Sequence, residues 1–257
     1  MPTPRQGIDP QRIGMPSGNE IDAISLDLDD TLWPVIPALV EAERAMHRWL
    51  AEQAPATAAL CSIERLKEMR MLLAMANTER ARDMGWLRLE SLRQALQDAG
   101  DDPAHAAGAF KVFMDGRQRV TLYGEVEAVL RRWKSRYKLL AVTNGNADLG
   151  RIGIGHFFDA IAAAHEIGFG KPDPRIFDHV CAAAGVEPAR VLHIGDDLEL
   201  DVLAARRAGL HAAWLRRPDL ESPRPEQEAD EAVAVSSPAP EFSYRDLEDI
   251  DNALMRR

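Results

Sequence analysis

The sequence predicts an α/β protein in which a parallel β-sheet carries helices on its faces and a helical insertion follows the first strand. From Tyr123 onward, short apolar runs alternate with amphipathic segments, the order typical of parallel strands joined by helical crossovers. A further apolar run, 21–28, is separated from this part by the helical pattern of 38–119. The apolar runs end in polar side chains, and open parallel sheets bind ligands at the carboxyl ends of their strands.

The composition limits the classes of partner. The chain has 257 residues and a formal net charge of -10 at pH 7, which disfavours nucleic-acid binding because phosphate neutralisation needs clustered Lys and Arg. No apolar run approaches the ~18–20 residues of a membrane span, and residues 1–20 lack the apolar region of a secretory signal. Cys61 and Cys181 are far apart in the sequence and do not have the spacing of a metal site, so we expect them to be buried thiols of a reduced protein. We expect a cytoplasmic monomer or homodimer that binds neither nucleic acid nor membrane.

The first strand is followed by a helical insertion. Pro34 and Pro37 predict a loop directly after the strand, because proline interrupts a helix. The apolar spacing beyond this loop is that of amphipathic helices, and Ser62 is a plausible N-cap for one of them. The predicted helices of the insertion are 38–52, 62–76, 78–99 and 102–116.

The α/β part follows the insertion. Its predicted strands are 137–142, 160–164, 190–194, 211–215 and, more weakly, 232–235. Its predicted helices are 125–136, 173–184, 200–208 and 244–255. The segment 216–240 is rich in Pro, Glu and Ser and is expected to be a surface loop. We therefore expect a flexible N-terminal extension at 1–20, an α/β core formed by 21–33 and 120–257, and a helical domain at 34–119.

Polar side chains follow the predicted strands. Asp27 and Asp29 are two residues apart and face the same way in extended chain. Buried carboxylates without partners are costly, so these groups should meet a cation, a hydrogen-bond network or water. The groups expected to converge are Asp27, Asp29 and Thr31 after the first strand, Thr143 and Asn144 after the second, Lys171 after the third, and Asp196 and Asp197 with Asp201 after the fourth.

This set of side chains suits metal-assisted phosphoryl chemistry. Carboxylate oxygens without imidazole or thiolate favour a hard cation such as Mg²⁺, which binds through few carboxylates plus a substrate phosphate. The hydroxyl and amide groups and Lys171 suit the remaining phosphoryl oxygens. One carboxylate is left to act as the nucleophile and a second to transfer protons.

The polar motifs resemble those of a known superfamily. Asp27-Leu28-Asp29-Asp30-Thr31, then Thr143, then Lys171-Pro172, then Gly195-Asp196 with Asp201 look like the four motifs of the haloacid dehalogenase (HAD) superfamily, in order. The helical insertion resembles its C1-type cap, and the resemblance covers roughly residues 21 to 216. It implies a Rossmann-like core with an inserted cap that closes over the active site.

The resemblance also implies a role for each matching residue. Asp27 corresponds to the nucleophile and a Mg²⁺ ligand, and Asp29 to the general acid and base whose backbone carbonyl also binds Mg²⁺. Thr143 and Lys171 correspond to the groups that hold the phosphoryl oxygens, and Asp196 to a further metal ligand.

Two carboxylates keep alternative roles. Asp201 is expected to orient Lys171 or a metal-bound water, or only to favour the first turn of a helix. Asp197 could exchange roles with Asp196. Asp30 and Thr31 are expected to shape the loop rather than to react.

Asp29 favours a phosphatase over a dehalogenase. The dehalogenase branch of the superfamily has no carboxylate two residues after the nucleophile and needs no metal, whereas an alcohol leaving group needs a proton that Asp29 can supply. The runs 142–147, 191–197 and 213–216 are similar to the YigB-type phosphatases, which act on FMN and on the phosphoribitylaminouracil intermediate of riboflavin synthesis. This resemblance implies a small phosphorylated metabolite as substrate.

Besides Thr143 and Lys171, three side chains are candidates for substrate contact. Asn144 follows the second strand of the core, Trp33 follows the nucleophile loop, and Arg88 lies in the insertion. Trp33 is equally well explained as a packed hinge residue, and Arg88 as a solvated residue on an amphipathic helix. Two other functions use the same motifs: a phosphoglucomutase-like phosphotransferase would keep the phosphoryl group, and a non-enzymatic HAD-fold binding protein would need a degraded site.

Overall fold

The structure, a computed structural model, describes residues 15–81, 83–218 and 243–255. The chain divides into two compact units. One contains the residues up to Pro34 together with those from Thr121 onward, and the other is Val35–Val120. The predicted weak strand at 232–235 lies outside the described residues.

The unit Val35–Val120 is helical. Within its described residues, the α-helices are α1 Val35–Gln53, α2 Pro55–Leu60, α3 Ile63–Ala76, α4 Met84–Ala99 and α5 His105–Arg117. Their buried faces share an apolar core that includes Met46, Leu92 and Phe113. Helices α1 and α5 approach closely because residue 116 is glycine: a Cβ there would lie 2.8 Å from the Cα of Ala42.

The helix boundaries correct two predictions and reveal one further helix. Pro37 lies inside the first turn of α1, so the predicted loop through this residue is wrong; a first-turn amide has no acceptor in the helix, and proline loses no bond there. The predicted helix 78–99 is interrupted between the short 3₁₀ helix Thr78–Arg80 and α4, where the Asp83 carboxylate accepts a hydrogen bond from the Trp86 amide. The short helix α2 was not predicted.

The second unit is built on a parallel sheet. Its strands are β1 Ala23–Leu26, β2 Lys138–Thr143, β3 Ala160–Ala163, β4 Val191–Gly195, β5 His211–Leu215 and β6 Ser243–Tyr244. Their order across the sheet of the described residues is β3-β2-β1-β4-β5-β6. Leu26 of β1 is in register with Ala141 of β2 and with Ile194 of β4. The loops that follow these three central strands therefore start at the same edge of the sheet.

Helices connect and cover the strands of this unit. The α-helices among its described residues are α6 Val126–Lys134, α7 Leu149–Ile152, α8 Ala164–Ile167, α9 Arg175–Ala184, α10 Ala204–Arg207 and α11 Leu247–Met255. The predicted helix 200–208 begins earlier, as a π-helix over Leu198–Leu203 that precedes α10. The C-terminal helix α11 is tied to α6, since Asp251 accepts hydrogen bonds from the side chains of Arg132 and Trp133.

Candidate active site

Three carboxylates from two neighbouring strand ends lie together at this edge of the sheet. Asp27 follows β1 and its amide still donates to Ile194 O at 2.9 Å, so the strand geometry extends to the residue itself. Asp196 follows β4, and Asp201 lies in the π-helix that comes next. Oxygen atoms of Asp27, Asp196 and Asp201 lie within 4.8 Å of one another, and all three residues are buried.

Lys171 is the cation in this group. Its Nζ donates to Oδ1 of Asp27 and to Oδ1 of Asp201, both at 2.5 Å. The Asn144 side chain fixes the backbone at this position, because its Oδ1 accepts from Lys171 N at 2.7 Å and its Nδ2 donates to Lys171 O at 2.8 Å. Residue 170 must be small here, since a Cβ on Gly170 would lie 2.4 Å from the same Oδ1. The end of β2 thus positions the ammonium group.

Asp201 also connects the site to the interior of the sheet. Its Oδ1 lies 3.2 Å from Nε2 of His193, and Nδ1 of that ring lies 2.9 Å from Oγ of Ser25. Burial lowers the pKa of His193, so the ring is neutral and can donate to Asp201 while it accepts from Ser25. A Cβ on Gly195 would lie 2.2 Å from Cγ of Asp201, which explains the glycine at the end of β4.

The buried charges shift one another's pKa. Burial raises the pKa of Asp27 to about 7, although Lys171 acts in the opposite direction. Burial also disfavours the charge on Asp201, but Lys171 and His193 outweigh it and hold the pKa of this carboxyl well below its usual range. For Lys171, burial is outweighed by Asp201 and Asp27, and its pKa rises. Three carboxylates facing one ammonium leave the cluster with an excess of negative charge that a bound cation would balance.

Asp29 lies in a tight loop and is held by Trp33. The indole Nε1 of Trp33 donates to Oδ1 of Asp29 at 2.8 Å, and the Trp33 side chain is fully buried. Asp30 between them has a φ of 62°, in the left-handed region, and its amide donates to Trp33 O at 2.7 Å. Thr31 Oγ1 lies 3.4 Å from Oδ1 of Asp196. The contact seen for Trp33 is therefore with Asp29 and not with open space that a substrate would fill.

The remaining predicted residues have other neighbours. Thr143 is buried and its Oγ1 accepts from the Gly145 amide at 2.9 Å. Asp197 caps the π-helix, with Oδ1 accepting from Leu200 N at 2.8 Å, so Asp196 and not Asp197 joins the carboxylate group. Arg88 belongs to the helical unit, where its side chain is buried and paired with Glu43.

Sequence reasoning missed the role of His193. His47, His165 and His193 are not spaced as metal ligands, so the sequence alone indicates no special role for His193. The signal lay in its position: all five residues of β4 are buried, and His193 is the one polar side chain among them. A buried imidazole in a central strand needs hydrogen-bond partners, and Asp201 and Ser25 supply them.

Comparison with known proteins identifies the family. The family model of the haloacid dehalogenase-like hydrolases matches residues 21–209. The chain belongs to this family. A curated HAD relative, the 5-amino-6-(5-phospho-D-ribitylamino)uracil phosphatase YigB of Escherichia coli, is 31% identical over 200 residues, which cover 76% of this chain and 84% of the relative. The phosphoserine phosphatase of Thermus thermophilus is 39% identical over 139 residues, 52% of this chain and 56% of that protein.

A solved structure of the HAD family is similar over nearly the whole chain. It is a 2-haloacid dehalogenase from Pseudomonas syringae with a TM-score of 0.78 and 33% identity, covering 92% of this chain and 99% of that one. The predicted HAD-like α/β fold with a helical cap, the assignment as a HAD-family phosphatase and the similarity to YigB-type phosphatases are confirmed. No helix among residues 15–81, 83–218 and 243–255 is long and apolar enough to span a membrane.

Proposed function

We propose that this HAD enzyme is a Mg²⁺-dependent phosphomonoester hydrolase that forms an aspartyl phosphate on Asp27 and acts on a small organic phosphate. The observation that carries the proposal is the buried group of Asp27, Asp196 and Asp201 around the Lys171 ammonium. This group combines a nucleophile, an anion-binding cation and oxygen ligands for a metal within one site.

The donor set fits Mg²⁺. The ligand atoms of the group are carboxylate oxygens, and their negative charge exceeds that of the single ammonium. We assign Asp27 and Asp196 as the side-chain ligands, with the Asp29 carbonyl as a third, since Asp201 is engaged by Lys171 and His193. When bound, Mg²⁺ would offset the charge of the phosphoryl oxygens and of the nucleophile beside them.

The chain's own residues account for the two steps of hydrolysis. Lys171 donates to Oδ1 of Asp27, so the other carboxylate oxygen attacks phosphorus while the bond from phosphorus to the ester oxygen breaks. The leaving oxygen takes its proton from Asp29. Water then attacks the phosphorus of the aspartyl phosphate, gives a proton to Asp29 and releases phosphate, which restores the Asp27 carboxylate.

Other side chains hold the reacting groups in place. Trp33 donates to Asp29 and keeps this carboxyl group in a fixed orientation, so we assign Trp33 a positioning role instead of the substrate contact predicted from the sequence. Asn144 likewise positions the Lys171 backbone. The Thr143 hydroxyl and Lys171 Nζ are proposed to donate to the phosphoryl oxygens.

We propose FMN or a ribityl phosphate of the riboflavin pathway as the substrate. The similarity to the YigB phosphatase over most of both chains supports this choice. Two predictions from the sequence are kept as proposals: residues 34–119 act as a cap, and Arg88 contacts the substrate. A cytoplasmic location is supported by the two cysteines, Cys61 and Cys181, which are free and buried.

A dehalogenase is the second candidate, because a 2-haloacid dehalogenase is 33% identical over nearly the full chain. The two reactions differ in the need for a proton donor beside the leaving group, and Asp29 with its Trp33 hydrogen bond favours the phosphatase. Phosphate release from FMN, sugar phosphates and p-nitrophenyl phosphate should be compared with chloride release from 2-chloropropionate, each with Mg²⁺ and with EDTA.

The proposal expects phosphate release that requires Mg²⁺ and no chloride release. Chloride release that persists in EDTA would instead establish the dehalogenase. A flat profile without preference for FMN or ribityl phosphates would remove the riboflavin substrates but keep the phosphatase. Transfer of phosphoryl from one sugar hydroxyl to another without phosphate release would establish a phosphoglucomutase-like transferase.

A further inference from the structure

The helical unit contains a second buried cluster of charge. Glu43 of α1, Arg70 of α3 and Arg88 of α4 have relative exposures of 4%, 5% and 6%. Both guanidinium groups donate to the same oxygen, Oε1 of Glu43, with distances of 2.7 Å from Arg70 Nη2 and 3.1 Å from Arg88 Nη2. Two buried cations therefore share one anion, and the three residues together carry one excess positive charge.

Three polar atoms of the cluster lack a partner. Nη1 of Arg70, Nε of Arg88 and Oε2 of Glu43 are buried and accept or donate no hydrogen bond among the described residues. The Arg88 guanidinium lies 3.5 Å from the centroid of the Phe113 ring, which stabilises its charge without satisfying Nε. Burial and the neighbouring Arg70 lower the pKa of Arg88 to about 10, so it stays protonated at neutral pH. Buried donors left unpaired in this way are unfavourable and attract an acceptor.

A cavity of about 390 Å³ in the helical unit is lined by all three residues of the cluster. Lys67 adds a further positive charge to its wall. Most of the other lining residues are apolar, and three of them, Ile36, Met71 and Met84, are 59%, 59% and 50% exposed. Small-molecule sites combine an apolar wall with a few polar groups that fix orientation, and this volume lies in their usual range of about 300–1,000 Å³.

We propose that this cavity binds an organic carboxylate with a short apolar body, whose oxygens accept from the guanidinium groups of Arg70 and Arg88 that line it. The positive charges of Arg70, Arg88 and Lys67 outnumber the negative charge of Glu43, which favours an anionic ligand. Buried donors without partners favour a ligand that brings an acceptor, and the exposed methionine and isoleucine side chains match an apolar chain. Glu43 accepts from both guanidinium groups and offsets part of their positive charge.

The alternative is a purely structural ion triad that ties α1, α3 and α4 together. Such a triad needs no ligand, and its removal would change only the stability of the protein. The two explanations differ in the effect of Glu43. In a ligand site, Glu43 competes with the bound carboxylate, so its neutralisation should tighten binding.

The proposal is tested by calorimetric titration of hexanoate into the full-length protein, with the uncharged hexanamide as the reference ligand. Hexanoate should bind the wild-type protein and hexanamide at least about tenfold more weakly, because a charge-assisted hydrogen bond is lost. Arg70→Met should weaken hexanoate binding by about tenfold or more. Arg65→Met is the matched control, since Arg65 is on the same helix but exposed and paired with Glu68, and it should bind like the wild type.

The direction in which Glu43→Gln changes the affinity for hexanoate distinguishes the ligand site from the structural triad. Hexanoate should bind this variant several-fold more tightly and raise its Tm by more than it raises that of the wild type. If Glu43→Gln fails to fold, the comparison of Arg70→Met with Arg65→Met still decides. Absence of hexanoate binding to the wild type, or equal binding by the Arg70 and Arg65 variants, would overturn the proposal.

Kinetics distinguish two sources of the carboxylate. Competition of hexanoate with a phosphomonoester substrate would support the site and indicate a substrate that itself carries a carboxylate, in place of FMN or a ribityl phosphate, which carry none. Non-competitive behaviour would support the site and identify a separate metabolite. The calorimetric result needs no turnover, so it stands or fails independently of the proposed phosphatase activity.

Discussion

The two units of the protein each bury a charge cluster, and the two clusters are opposite in sign. At the sheet edge three carboxylates face the single ammonium of Lys171, whereas in the helical unit two guanidinium groups share the carboxylate of Glu43. Buried charge of one sign needs compensation from outside the cluster. The first cluster is therefore suited to a cation and the second to an anion.

The clusters also differ in how the backbone holds them. The carboxylates of the sheet edge are on short side chains that follow adjacent strands. Asn144 holds the backbone of Lys171, and Gly170 and Gly195 leave room for the side chains of Asn144 and Asp201. The cluster of the helical unit depends on two long arginine side chains from different helices. Long side chains lose more rotamer freedom when they are ordered, so ordering this cluster costs more conformational entropy than ordering the short side chains of the sheet edge.

The largest expected effect is the loss of the nucleophile in Asp27→Asn. Phosphate release should fall by about 10⁴-fold or more, the scale on which a catalytic unit fails when its nucleophile is removed. Steady-state phosphate release with saturating Mg²⁺ measures it, with circular dichroism to show that the variant is folded. Asp22→Asn at the other end of the same strand is the control, because Asp22 is exposed and paired with Arg190, and its activity should be unchanged.

The next effect concerns proton transfer by Asp29. Asp29→Asn should slow hydrolysis of an alkyl phosphate by roughly 10²–10⁴-fold, as expected for loss of an acid–base group. The decrease should be smaller for formation of the phosphoenzyme from p-nitrophenyl phosphate, whose leaving group needs no proton. A change in KM alone, with kcat retained, would show that Asp29 only binds substrate.

A smaller effect is expected from Trp33→Phe, which keeps the aromatic ring but removes the hydrogen bond to Asp29. We expect kcat to fall roughly tenfold, the scale of one hydrogen bond to a charged group, with a similar KM. Trp133→Phe is the matched control, since its Nε1 donates to Asp251 at the same 2.8 Å but outside the site. That control should lose stability and keep kcat; equal losses of kcat in both variants would contradict the positioning role of Trp33.

The smallest effect separates stability from chemistry in the helical unit. Thr57 is fully buried, and its Oγ1 donates to Oδ2 of Asp101 at 2.7 Å. Thr57→Val should lower the free energy of unfolding by about 1–2 kcal/mol and leave kcat with p-nitrophenyl phosphate unchanged. Chemical denaturation and steady-state kinetics measure the two quantities, and a large loss of kcat in a folded variant would show that this unit takes part in the chemistry.

The sequence predicts which strands form the sheet and which residues lie at its edge, but it does not predict the hydrogen bonds that these residues make. Parallel strands bring residues as distant as Asp27 and Lys171 together whatever the length of chain between them, so the strand ends alone indicate the site. The bond of Trp33 to Asp29 depends on the left-handed conformation of Asp30, which no pattern indicates. Side-chain hydrogen bonds within loops remain beyond such reasoning.

The helical unit is less predictable for a different reason. Its helical periodicity is plain, but Pro37 reads as a helix breaker until its position in the first turn is known. The cluster of Glu43, Arg70 and Arg88 comes from three helices whose inward faces are decided by packing. Sequence patterns indicate amphipathic helices but not which polar residues they turn toward one another.

The most direct measurement of the central claim is the identification of the covalent intermediate. Asp29→Asn protein is mixed with p-nitrophenyl phosphate and Mg²⁺, quenched in acid within a turnover, digested and mapped by mass spectrometry. We expect one phosphoryl group on the peptide that contains Asp27, and none when Asp27 is also replaced by Asn. A phosphoryl group on another residue, or hydrolysis without any phosphorylated peptide, would contradict the proposed mechanism.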